Sequence, residues 1–148
     1  MITEDYVSFE TAKLLKEKGF DEHCFCINYP LPEGGHHNII LPNLLNNSMI
    51  PFTDDYKFCR YKEDFITIPT LQMAMKWLRE VYKFEVRSAY DYDKESWWGN
   101  INPMFEETDE NSDIYQKALG FDYQGKSYEE ACEASIKYCL ENLIKITK

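Results

Sequence analysis

The stretch from Pro69 to Tyr92 constrains the fold most, because its apolar spacing switches from helical to extended within one short run. Thr70 follows a proline and stands where a hydroxyl can accept from an unpaired first-turn amide, so it is the predicted N-cap. Leu71, Ala74, Met75, Leu78, Val81 and Tyr82 recur at helical spacing, and Met73 and Trp77 widen that stripe. Gln72, Lys76, Arg79, Glu80 and Lys83 fall on the opposite face, so the helix has one inside and one outside. Phe84, Val86, Ser88, Tyr90 and Tyr92 then alternate with Glu85, Arg87, Ala89, Asp91 and Asp93, the period of a strand.

The C-terminal segment needs a surface to pack on. Ser127 and Glu130 form an S-x-x-E capping box, in which each side chain accepts from an amide near the other. Tyr128, Ala131, Cys132, Ser135, Ile136, Cys139, Leu140, Leu143 and Ile144 continue as one stripe. Each large member contributes about 1.5–3 kcal/mol on burial, before side-chain entropy is set against it. The natural partner is the sheet that contains Phe84–Tyr92.

The rest of the chain is read around these two units. Ser8 to Lys18 is a helix capped by Ser8, with Gly19 suited to the left-handed position after it and Phe20 folding back. His23 to Tyr29 alternates as a strand. From Pro30 to Asp55 prolines and glycines break regular runs, so the segment is a functional loop or conceals a hairpin, with a helical turn at Pro42–Leu45. Tyr56–Tyr61 and Phe65–Ile68 are short strands near a sheet margin. Trp97 to Met104 is a strand interrupted by Gly99 and Pro103. An acidic loop follows, then a short helix over Ser112–Leu119 ended by Gly120.

Charge excludes some functions. The formal net charge of −10 opposes binding to a phosphate backbone, which needs clustered Lys and Arg. No apolar run approaches the roughly 20 residues of a membrane-spanning helix. The acidic start Met1-Ile2-Thr3-Glu4-Asp5 lacks the pattern of a secretory signal, so a cytoplasmic protein is expected. Five cysteines form no disulfide pattern, and Cys132 and Cys139 read as small buried hydrophobes.

Three segments carry a resemblance: EDYVSFETAKLLKEKGFD from Glu4 to Asp21, PTLQMAMKWLREV from Pro69 to Val81, and YEEACEASIKYCLENLI from Tyr128 to Ile144. Together they resemble a group of small, uncharacterised proteins encoded by gut Bacteroidales bacteria and their phages. The resemblance covers about a third of the chain and implies a common origin and a shared helical frame. It implies no catalytic residue and no cofactor.

Side chains that could carry chemistry fall into three sets. His23, Cys24, Cys26, His36, His37 and Cys59 are zinc-type ligands, yet the chain has no repeated C-x₂₋₄-C pair to hold the ion. Asp91, Asp93 and Glu95, with Asp54 and Asp55 elsewhere, could bind Mg²⁺ or divide acid and base roles, but read more simply as solvated loop acids. No nucleophile elbow, dinucleotide fingerprint or P-loop is present. The third set is aromatic: Tyr90, Tyr92, Trp97, Trp98 and Phe105. Trp97 and Trp98 face opposite ways on a strand, so they are both core only if helices cover both sheet faces. Otherwise one is an interface residue.

The expected fold is a single α+β domain spanning residues 1–148, with three main helices packed on a small, largely antiparallel sheet. A double-stranded-RNA-binding domain shares part of that element order, but the charge opposes it. The expected function is a non-enzymatic binding or accessory protein of a bacterium or its phage, acting through protein–protein contact. Its expected partner surface is Tyr90, Tyr92, Trp97 and Trp98 with Glu106, Glu107, Asp109 and Glu110. Two alternatives stand: a small metal-dependent hydrolase, and an acidic nucleic-acid mimic that inhibits a host enzyme.

Overall fold

Three helices begin at the hydroxyls that the sequence offers as caps. Ser8 Oγ accepts from Thr11 N at 3.2 Å, Thr70 Oγ1 from Met73 N at 3.1 Å, and Ser127 Oγ from Glu130 N at 3.0 Å. The computed structural model describes residues 5–22, 26–30, 36–40 and 66–144. Among these, the chain runs α1 (Phe9–Glu17), β1 (Cys26–Pro30), β2 (His36–Ile40), β3 (Ile66–Ile68) and α2 (Leu71–Trp77, continued by a π-turn over Leu78–Tyr82). It goes on through β4 (Phe84–Asp91), β5 (Ser96–Pro103), α3 (Ser112–Gly120), β6 (Asp122–Gly125) and α4 (Tyr128–Tyr138, continued by a π-turn over Cys139–Leu143).

The fold is α+β. Two differences separate it from the expected frame: a fourth helix, α3, takes part, and the strands form two three-stranded antiparallel sheets. The first has the order β2-β1-β3. Strand β1 overlaps the predicted strand His23–Tyr29 and pairs antiparallel with β2, with Cys26 opposite Ile40 and Pro30 opposite His36. Among the described residues the Pro- and Gly-rich stretch therefore supplies one strand of a pair and does not hold a whole hairpin. The second has the order β4-β5-β6. The proposed turn at Pro42–Leu45 and strand at Tyr56–Tyr61 lie outside the described residues.

One hydrophobic cluster joins the elements. It takes Ala12 and Leu15 from α1, Ile68 from β3, Leu71, Ala74, Met75 and Trp77 from α2, Phe84 and Val86 from β4, and Ile101 from β5. The whole α4 stripe enters it from Cys132 to Ile144, apart from Ser135, which is also buried. Helix α4 lies against β4, β5 and β6 and also touches α1 and α2. Its Glu133 reaches the start of α1, where Oε1 accepts from Ser8 N at 2.9 Å and from Thr11 Oγ1 at 2.6 Å. A carboxylate there sits favourably at the positive end of α1. No helix among the described residues is long and apolar enough to cross a membrane.

Several local expectations are corrected by packing. Val81 is 54% exposed instead of lying on the α2 stripe, because the wider π-turn rotates it away while Tyr82 stays near the stripe. Tyr82 meets Trp77 edge-to-face at 5.1 Å and donates from its hydroxyl to Lys18 O. Lys83 then ends the turn at φ 63°, a left-handed conformation. Strand β5 runs unbroken through Gly99. A Cβ there would lie 2.6 Å from Ser135 Oγ and 2.9 Å from Ala131 O, so the missing side chain admits α4. The capping box is half formed: Glu130 Oε2 accepts from Lys126 N, one residue before the cap, while Tyr123 holds Oε1 at 2.8 Å.

Candidate functional site

Register decides which aromatics meet. Tyr90 stands opposite Trp97, Ala89 opposite Trp98 and Asp91 opposite Ser96. Directly opposed residues share a face, so Phe84, Val86, Ser88 and Tyr90 lie with Trp97, Gly99 and Ile101 on the side that α4 covers. Trp98 lies on the other side with Arg87, Ala89, Asn100, Asp122 and Gln124. Neither tryptophan is core: both are half-buried, on opposite faces.

A ladder of rings runs along the edge of the α4 side. Tyr92 meets Tyr90 at 5.6 Å, Tyr90 meets Trp97 at 5.5 Å, and Trp97 meets Tyr128 at 5.7 Å, all edge-to-face. This is the geometry the ring quadrupole favours. Tyr128 is the first residue of α4, and its hydroxyl accepts from Gln72 Nε2 of α2 at 3.2 Å. Burial raises the Tyr128 pKa above the ordinary phenol value. The inner end of the ladder is therefore anchored on two helices. The outer end is open, with Tyr90 45% and Tyr92 87% exposed.

The hairpin tip that carries Tyr92 is held locally. Asp91 Oδ1 accepts from Asp93 N at 3.0 Å and from Lys94 N at 3.3 Å, and Glu95 adopts φ 50°. Asp91, Asp93 and Glu95 thus share the turn with the exposed tyrosine, with the cation Lys94 between the last two. Among the described residues no group of three His, Cys, Asp or Glu could hold a metal ion.

The acidic run is elsewhere. Trp97 pairs at one end of β5 and Pro103 at the other, six residue steps or about 20 Å apart, and Glu106 to Glu110 lie beyond Pro103. Glu106, Glu107, Asp109 and Glu110 are exposed, but they do not border the aromatic ladder. Glu107 helps build the start of α3: its Oε1 accepts from Ser112 Oγ at 2.7 Å and Gln116 Nε2 at 2.9 Å. Those bonds, Gln116 first, hold its pKa below the usual carboxylate value. Phe105 joins this end of the sheet, meeting Phe84 at 5.6 Å and Tyr115 at 5.9 Å.

Of the candidate metal ligands, His23, Cys24 and Cys59 lie outside the described residues, as do Asp54 and Asp55. In the β1–β2 ladder Cys26 stands opposite Ile40 and His37 opposite Tyr29, which puts them three residue steps, about 10 Å, apart along the strands.

Sequence reasoning missed Tyr128 and Gln72 as parts of the ladder. It also missed the concave patch around Trp98, because both depend on strand register. The pairing of Tyr90 with Trp97 would have exposed the first, but only the hairpin turn fixes that pairing. No protein-family model, curated protein or solved structure matches this chain.

Proposed function

We propose that this is a non-enzymatic binding protein, an accessory factor of a bacterium or its phage that works in the cytoplasm through protein–protein contact. One observation carries the reading: the ring ladder from Tyr128 to Tyr92 is anchored at its inner end and open at its outer end, with Tyr92 87% exposed. Exposed Tyr and Trp held rigidly by neighbours bury large area at little entropic cost, and they dominate measured interface energies. The acids Asp91, Asp93 and Glu95 suit a partner with an apolar centre and a basic rim. In this reading Trp97 supports the anchor, and Tyr90 and Tyr92 make the contact.

The test is a binding titration against the protein recovered with tagged wild type, at two salt concentrations. Tyr92→Ala should weaken binding about thirtyfold or more, since an aromatic anchor is worth at least about 2 kcal/mol. Changing Asp93 and Glu95 to Asn and Gln should slow association and flatten its salt dependence. Neutralising Glu106, Glu107, Asp109 and Glu110 should leave affinity close to wild type, because that run is at the far end of the sheet. If that last variant loses binding and Tyr92→Ala does not, phosphate mimicry replaces this reading. If every variant binds like wild type, the ladder is not the interface.

A further inference from the structure

The face of β4-β5-β6 turned away from α4 carries a shallow concavity of 380 Å³, lined among the described residues by Trp98, Asn100, Leu119, Phe121, Asp122 and Gln124. It lies on the opposite side of the sheet from the Tyr90–Trp97 ladder and has no part in the contact proposed above. We propose that this concavity is a carbohydrate-binding site that takes a neutral pyranose ring.

The argument rests on how the sheet arranges six side chains. Cross-strand pairing gives two rows, Ala89–Trp98–Gln124 and Arg87–Asn100–Asp122. Directly opposed side chains are about 5 Å apart and successive same-face residues about 7 Å apart, so the whole grid has the dimensions of a sugar ring with its hydroxyls. A pyranose presents an apolar C–H face beside a ring of hydroxyls that both donate and accept. Trp98 supplies an aromatic surface for the first, with the small Ala89 leaving one flank of the indole uncrowded. Leu119, 50% exposed, adds apolar wall, while Phe121 borders the concavity with its ring stacked on Tyr138 of α4 at 4.4 Å.

The polar groups match the second requirement. Ser96 Oγ donates to Gln124 Oε1 at 2.6 Å, which fixes the carboxamide and leaves its Nε2 donors for a ligand oxygen. Asp122 is an exposed acceptor on the same row as Asn100. Asn100 Oδ1 is buried with no hydrogen-bond partner, so this amide holds unused capacity beside the concavity. Rotation of the amide within its broad χ2 range brings either end towards a bound hydroxyl. Among the described residues the only charge in the lining is that of Asp122; Arg87 beside it is paired with Glu85. A phosphate or an acidic sugar therefore meets repulsion there, and a neutral ring does not.

The experiment is ligand-observed saturation-transfer NMR on the full chain. The probes are the methyl glycosides of glucose, galactose and mannose, with N-acetylglucosamine, glucuronate and adenosine, each at about 10 mM to reach weak sites. The expected result is transfer to at least one neutral glycoside, strongest at ring protons of one face, and none to glucuronate. Trp98→Ala should weaken that binding about tenfold or more, and Gln124→Ala about threefold to tenfold. Gln124 is exposed, so its variant keeps the test decisive should Trp98→Ala disturb the sheet. Tyr92→Ala should leave sugar binding unchanged, which separates this site from the ladder. The proposal is overturned if no neutral glycoside shows transfer, if adenosine is preferred, or if both the Trp98 and Gln124 variants bind like wild type.

Discussion

Gly99→Ala tests how closely α4 lies on the sheet. The added Cβ would meet Ser135 Oγ at 2.6 Å, Ala131 O at 2.9 Å and Ala131 C at 3.4 Å. The first contact can be relieved by turning a side chain, although Ser135 is fully buried and donates to Ala131 O at 2.7 Å. The second is helix backbone and can be relieved only by moving α4 outward, by about half an ångström to reach ordinary contact. Such a gap forfeits about a quarter or more of each dispersion contact along the stripe of Cys132, Ile136, Cys139 and Leu140, all fully buried. Overpacking of this kind costs about 1–3 kcal/mol, and the reduced entropy of the unfolded chain returns about 0.4–1 kcal/mol. The net expectation is a loss of about 1.3 kcal/mol. With a urea m-value of about 1–3 kcal/mol/M, the denaturation midpoint should fall by about 0.6 M with unchanged slope. Gly120→Ala is the matched control, since a Cβ there meets nothing within 4 Å and the position closes α3. It should be neutral or stabilising by up to about 1 kcal/mol. Equal midpoints for Gly99→Ala and wild type would refute the close approach of α4 to β5.

Three further outcomes are expected. Leu140→Ala removes a fully buried side chain from the centre of the stripe and should cost about 2–5 kcal/mol, read from the same urea curves. Glu133→Ala strips an acceptor from Ser8 N and Thr11 Oγ1 and should cost about 1–3 kcal/mol, with earlier amide exchange in α1 as the local signature. The Glu130 pKa is lowered by the Lys126 amide and then by the Tyr123 hydroxyl. Its contribution is therefore present above the ordinary carboxylate pKa and is lost as pH falls through the depressed folded value. Glu130→Gln should flatten the acid limb of a stability–pH profile in that window, leaving neutral pH little changed relative to pH 5.

Much of the frame was legible because its signals are local. Ser8, Thr70 and Ser127 each cap where their position before an apolar run says they should, and Gly19 takes its positive φ of 97°. The stripe from Ala131 to Ile144 is buried as its spacing requires, with Tyr128 partly buried at its start. What escaped depends on contacts distant in sequence. Gly99 looks like a strand breaker until α4 is placed over it. Strand β6, Asp-Tyr-Gln-Gly, has little strand propensity of its own and is held by pairing with β5. Val81 is misassigned by a one-residue change in helical hydrogen bonding that no side-chain pattern records. For the candidate site, proximity in sequence misled: Glu106–Glu110 follow Trp98 closely along the chain, yet the length of β5 carries them to the far end of the sheet. The exposure of Tyr92 and the division of Trp97 from Trp98 follow from register and helix placement, neither of which is written in one strand.

The central claim is that Tyr92 and Tyr90 touch a protein partner. The most direct measurement places a photo-crosslinking amino acid, p-benzoylphenylalanine, at position 92 or at position 106 and irradiates each in native lysate. The account predicts one discrete adduct from position 92 and none from position 106. Excess wild-type protein should suppress that adduct, and excess Tyr90→Ala protein should not. An adduct from position 106 without one from position 92, or suppression by both competitors alike, would contradict it.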